Sequence, residues 1–234
     1  KQKEMSLYLT LMLVSFGSCL MLSFDRKVSF YKNLKYLFPA ITAIAVPFLI
    51  WDQLFTEKGV WGFNPDYLQG LFIGELPLEE VLFFFMIPYC CVFIYEVLNA
   101  YFPNVSLHRL TMMFSIFMVL SGLLMAVTHL DHWYTLSACS LTVFIIALVM
   151  QKKYIWYPRA VFAFVVALFP FFLVNGILTG MFTDEPIVWY SVEHNVGLRW
   201  GTIPLEDVFY NFSLLIPIIG IYHTLKTRGL MQAK

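Results

Sequence analysis

Residues 74–85 read GELPLEEVLFFF, and residues 201–212 read GTIPLEDVFYNF. Pro77-Leu78-Glu79-Glu80-Val81 matches Pro204-Leu205-Glu206-Asp207-Val208. At the same offset Phe83 meets Tyr210, Phe84 meets Asn211 and Phe85 meets Phe212. One such segment is an ordinary helix start, because proline suits the first turn and acids there meet the positive end of the helix dipole. Two copies, each opening a long apolar segment, ask for another explanation. An ionisable residue in a membrane span points to function.

The composition says that these are membrane helices. The 234 residues are 60% hydrophobic and 13% charged, where an average soluble domain has about 25% charged residues. Fifteen Lys and Arg balance fifteen Asp and Glu, which leaves no case for nucleic acid as a partner. Seven stretches approach the length of about 20 mostly apolar residues that a spanning helix needs: 5–24, 34–54, 76–98, 107–128, 133–150, 158–178 and 203–225. No barrel-like alternation appears, so helices are the way to satisfy the backbone in lipid. The expected fold is an all-α polytopic membrane protein. Met5 is read as the native start and 5–24 as a retained span, not a cleaved signal.

Basic residues set the expected orientation. Arg26, Lys27, Lys32, Lys35, Arg109, Lys152, Lys153, Arg159, Lys226, Arg228 and Lys234 fall on one side of a seven-span chain. Only Lys1, Lys3, Lys58 and Arg199 fall on the other. The richer side is expected to be cytoplasmic, with the N-terminus out, in the cytoplasmic membrane. Trp51, Trp61, Trp133, Trp156, Trp189 and Trp200 sit near span ends and read as an interfacial belt.

The two motif copies organise the chain. A proline-containing span and a long loop with Trp and Gly, 56–75 or 179–202, precede each copy. This defines a first three-helix repeat over 1–103, a linking helix over 104–130 and a second repeat over 131–234. Three helices reverse sides, so a directly attached second copy would be inverted. The fourth span restores parity and brings both carboxylate pairs to one side. Parallel repeats of this kind form sites at their interface.

Helical spacing puts Phe83 and Phe84 a turn below Glu79 and Glu80, and Tyr210 and Asn211 a turn below Glu206 and Asp207. Paired carboxyls can titrate as a unit, one holding a proton while its neighbour stays charged. Such a pair suits acid–base work. Aromatic faces stabilise cations. Acid, base and a cation-tolerant apolar wall together suit proton-initiated rearrangement of a hydrocarbon.

At these residues the chain resembles the membrane-integral carotenoid cyclases, the heterodimeric-type lycopene cyclases of bacteria and their fused archaeal and fungal relatives. That family carries Pro-x-Glu-(Glu/Asp) in each of two three-helix halves, complete here as Pro77/Glu79/Glu80 and Pro204/Glu206/Asp207. Its fused members have a helix joining the halves, as the fourth span would here. The resemblance implies a redox-neutral lycopene cyclase of the β type, with catalytic Glu79, Glu80, Glu206 and Asp207. The donor would be Glu79 or Glu206 and the acceptor would lie in the partner motif. Phe83, Phe84 and Tyr210 would face the cation, and Asn211 would orient a carboxylate. The substrate would be a lipophilic acyclic carotenoid in the bilayer. A homo-oligomer or contact with carotenoid-pathway enzymes is left open.

No G-x-G-x-x-G stands between a strand and a helix, so no flavin site or other cofactor is expected. Cys19, Cys90, Cys91 and Cys139 read as packing residues, and the histidines lack metal-ligand spacing. His129 and His132 read as a solvated turn, and His194 as a residue near the second motif. Asp52 and Asn175, at the ends of the spans before the two loops, read equally as hydrogen-bonding supports or as interfacial polar residues. The alternative function is a transporter or proton pathway through the paired acids. The third and seventh spans look almost wholly apolar in their inner halves, which speaks against it. A retinal protein would need a lysine within the last span ahead of Lys226, and a prenyltransferase would need Asp-rich motifs.

Overall fold

The computed structural model describes residues 5–105 and 107–232. Lys1, Lys3 and Lys234, counted for orientation, lie outside the described residues. Seven α-helices follow in order: α1 (Leu7–Leu22), α2 (Leu34–Glu57), α3 (Leu78–Tyr101), α4 (His108–Thr128), α5 (Trp133–Lys152), α6 (Tyr157–Leu178) and α7 (Glu206–Gln232). Six are long and apolar enough to cross a membrane; α1, with 16 residues, is shorter. The chain is an all-α polytopic membrane protein. Prolines lie inside α2, α3, α6 and α7, where packed neighbours make up for the lost backbone bond. α7 runs past the apolar stretch to Gln232, because Lys, Leu, Arg and Met remain good helix formers beyond the lipid-like segment.

α3 and α7, the helices that carry the motifs, form the centre. Their apolar windows are 56% and 61% buried, against 28–44% for the other long helices. α2 packs on both α3 and α7, and so does α6. α1 lies against α3, α5 against α7, and α4 bridges α5 and α6.

The two long loops fold into short antiparallel ribbons, which apolar length alone does not announce. β1 (Trp61–Phe63) pairs with β4 (Val188–Tyr190), Gly62 opposite Trp189, and ties one loop to the other. β2 (Phe72–Ile73) pairs with β3 (Leu76–Pro77), and β5 (Arg199–Trp200) with β6 (Ile203–Pro204). Gly74 and Gly201 open the two hairpin turns at φ of 66° and 63°, as the turns that match strand twist require. The offset relating Pro77 to Pro204 also relates Trp61 to Val188, Phe72 to Arg199 and Leu76 to Ile203.

At the other end of the bundle, Lys27 lies over Tyr101 at 4.1 Å, and Arg159 donates to the Phe102 carbonyl at 2.7 Å. Here the reading of the third and seventh spans as apolar needs correction. Lys226 pairs with Glu96 at 2.7 Å, Tyr222 donates to Glu96 at 2.9 Å, and Tyr95 meets His223 at 3.2 Å. The sequence hides this cluster because its two halves, Tyr95-Glu96 and Tyr222-His223 with Lys226, lie on helices more than 120 positions apart.

The tryptophan belt also needs correction at two positions: Trp61 and Trp156 are buried. The Trp156 ring fits over Gly220, where an added Cβ would lie 2.6 Å from it. Gly220→Ala is therefore expected to destabilise the folded protein by about 1–3 kcal/mol, read as a lower melting temperature in detergent.

Candidate active site

β3 and β6 deliver the chain directly into α3 and α7, so each carboxylate pair occupies a first helical turn. Neighbouring residues on a helix point about 100° apart. The two acids of a pair therefore cannot share a direction. In both halves the second acid faces a common cavity and the first faces away from it. Glu80 and Asp207 line one cavity together with Asp52, Trp61, Tyr134 and Tyr190. Phe83, Tyr210 and Asn211 complete the expected set on its wall, with Phe171 and Asn175 from α6.

Phe84, expected there, is instead fully buried against Phe48 and Phe83, one helical position too far round. Glu79 and Glu206, expected as proton donors, are also off the cavity wall. Glu79 Oε1 accepts from the Ser6 hydroxyl at 2.9 Å and from the Gln69 backbone N–H at 2.6 Å. Glu206 Oε1 accepts from the Thr135 hydroxyl at 2.6 Å and from the Val196 backbone N–H at 2.7 Å. Gln69 and Val196 are related by the motif offset, so each first acid fastens its own loop to a neighbouring helix.

The cavity-facing acids are held differently. Tyr8 donates to Glu80 Oε2 at 2.5 Å. Asp207 takes three donors: Tyr134 at 2.5 Å on Oδ1, and Asn175 at 2.7 Å and Tyr190 at 3.1 Å on Oδ2. A carboxylate only accepts, whereas a neutral acid must also donate. Three donors on Asp207 therefore match its ionised form. Tyr190 lies in the β4 ribbon. Burial first, then the nearby Asp207 carboxylate, pushes its phenol well above the usual range, so it remains an O–H donor. Asp52 and Asn175 are both hydrogen-bonding groups of the cavity; Trp61 Nε1 donates to Asp52 Oδ1 at 2.5 Å.

Aromatic rings wall the space between the acids. Tyr210 is surrounded by Trp51 at 4.9 Å, Phe48 at 5.1 Å, and Trp61 and Tyr134 each at 6.1 Å between ring centres. Tyr134 stacks on Tyr190 at 5.8 Å. These spacings fall within the range of favourable aromatic pairs. The sequence reading missed Tyr8, Tyr134, Tyr190 and Trp61. Tyr8 and Tyr134 each stand in the first turn of their helix, α1 or α5, but the motif offset pairs Tyr8 with Thr135, so the repeat does not mark them in the sequence. His194 does not reach the motif: its ring stacks on Trp133 at 5.0 Å, while its carbonyl accepts the Tyr134 backbone N–H at 3.1 Å.

Fold and site together define a polytopic membrane protein whose central helices, from two similar halves, direct carboxyls into one aromatic cavity. The model of the lycopene cyclase family matches residues 5–98 and 131–225. The chain belongs to that family. No curated protein and no solved structure matches it. Membership implies an isomerase-type cyclase acting on a carotenoid in a membrane.

Proposed function

We propose that the protein closes the ψ-end groups of an acyclic carotenoid, lycopene, into β-rings without a flavin. The convergence of Glu80 and Asp207 on one aromatic cavity carries this reading. A carboxylic acid O–H on Glu80 breaks as the terminal alkene takes the proton, leaving a tertiary cation. An internal double bond attacks it and a six-membered ring closes. The Asp207 carboxylate then takes a ring proton, and its C–H electrons form the new double bond. One proton enters and one leaves, so atoms and electrons balance without an oxidant or reductant. Tyr210, Trp61, Tyr134 and Phe83 present π faces to the cation. Glu79 and Glu206 position the acids that follow them.

We further infer two parallel three-helix repeats joined by α4, with the cavity at the non-cytoplasmic end. The basic residues support this orientation, since Lys27 and Arg159 gather at the end away from the acids. The transport reading lacks support. Between the cavity and the Glu96 cluster, the buried side chains of α3 and α7 are apolar or sulfhydryl, apart from Tyr89 and Ser213.

Expression in cells that accumulate lycopene tests the reaction. The expected pigment is β-carotene or its one-ringed precursor. Unchanged lycopene with the protein inserted in the membrane would sink the proposal. ε- or γ-rings would overturn only the ring type, through the position of the base.

A further inference from the structure

Asp52 belongs to neither motif. It sits in α2 and is 2% exposed, yet it lines the same cavity as Glu80 and Asp207. Near the end of α6 the second half carries Asn175, five residues after Pro170 as Asp52 is five after Pro47, so one half places an acid at this point of the wall and the other an amide. Asp52 accepts the Trp61 indole N–H on Oδ1 at 2.5 Å, while its Oδ2 is buried without a hydrogen-bond partner among the described residues. Among the described residues that line the cavity there is no lysine, arginine or histidine. A buried carboxylate left without a cation or a full set of donors is costly. Asp52 instead matches a carboxylic acid: a carbonyl oxygen accepts the indole N–H, and a hydroxyl has its proton still to give.

We propose that Asp52 is a third catalytic carboxyl of the cavity, sharing with Glu80 the proton that opens the cyclisation. This rests on the cyclase reading above. After each ring closure Glu80 has lost a proton and Asp207 has gained one. Before the next closure the donor side needs that proton back, and Asp52 gives it a second group able to hold one. The step is proton transfer between carboxyl oxygens, with no electron exchanged. Trp61 fixes the Asp52 carboxyl and at the same time presents its ring to the cavity.

The test is Asp52→Asn beside Trp61→Phe, each purified and assayed on lycopene in lipid nanodiscs. Asparagine keeps an oxygen for the Trp61 N–H but has no acid proton. The expected result is a kcat lower by about 100-fold or more with KM within about twofold, and a much smaller loss in Trp61→Phe. A kcat loss under about tenfold, or one equalled by Trp61→Phe, overturns the assignment; any larger loss specific to Asp52→Asn sustains it. Should Asp52→Asn fail to fold, Asp52→Glu and Asp52→Gln, equal in size, repeat the comparison. The glutamate is expected to be the more active, and equal activity overturns the assignment. Wild-type enzyme that leaves lycopene unchanged would instead refute the cyclase reading, so the two failures are distinguishable.

Discussion

Glu80→Gln lowers the cyclisation rate by about 10²–10⁴-fold, the contribution of a positioned general acid, and leaves folding and lycopene binding intact. Glutamine has the same length and still offers an oxygen to the Tyr8 hydroxyl, the hydrogen bond seen at 2.5 Å. It lacks only the proton. Asp207→Asn gives a loss of the same order for the opposite reason. Its three donors, Tyr134, Asn175 and Tyr190, meet an amide with one oxygen, and no base remains to take the ring proton. Assays in deuterated water separate the two roles. With Glu80 intact, Asp207→Asn protonates the terminal alkene reversibly, and recovered lycopene carries deuterium at that carbon. Glu80→Gln recovers lycopene unlabelled. The reverse labelling pattern would exchange the two assignments, and full activity in both variants would remove the carboxyls from the mechanism.

The parts of this site that were legible in the sequence are those carried by local pattern. Apolar length marked the helices to within a few residues at most ends, and the repeated Pro-Leu-Glu-acid words marked the starts of α3 and α7. The resemblance built on those words led to the family whose model matches residues 5–98 and 131–225. What sequence could not supply is direction around the helix axis. Glu79 and Glu80 look like a pair in the chain, yet a step of about 100° per residue separates them. Which one faces inward depends on where α1 packs, and α1 touches α3 from more than seventy positions away. The same rotation removes Phe84 from the wall while leaving Phe83 on it. Trp61 was hidden for a different reason. A tryptophan near a span end usually sits at the lipid interface, and only the β1–β4 pairing turns its loop back over the helices. Tyr190 reaches Asp207 through that same pairing.

Replacing the first acid of each motif distinguishes positioning from chemistry. Glu79→Gln and Glu206→Gln are expected to keep activity within about tenfold of wild type, below the loss typical of a missing acid or base. Glu79→Ala and Glu206→Ala are expected to lose far more. Glutamine retains an oxygen where Oε1 now receives a hydroxyl and a backbone N–H. Alanine removes it. At Glu206, which is fully buried, the Val196 N–H and the Thr135 hydroxyl would then lack an acceptor, at about 1–3 kcal/mol for each unsatisfied group. Val196 lies between the β4 ribbon that carries Tyr190 and the β5–β6 hairpin that feeds Asp207 into α7. Freeing it loosens both the base and one of its donors, so Glu206→Ala should lower the melting temperature and kcat together. Glu79→Ala should act in the same way through Gln69 and the β2–β3 hairpin that leads into Glu80. The decisive comparison is glutamine at the first position against glutamine at the second. If Glu79→Gln and Glu206→Gln fold normally and are as inactive as Glu80→Gln, all four motif acids take part in proton transfer, and the division of labour inferred from their directions fails.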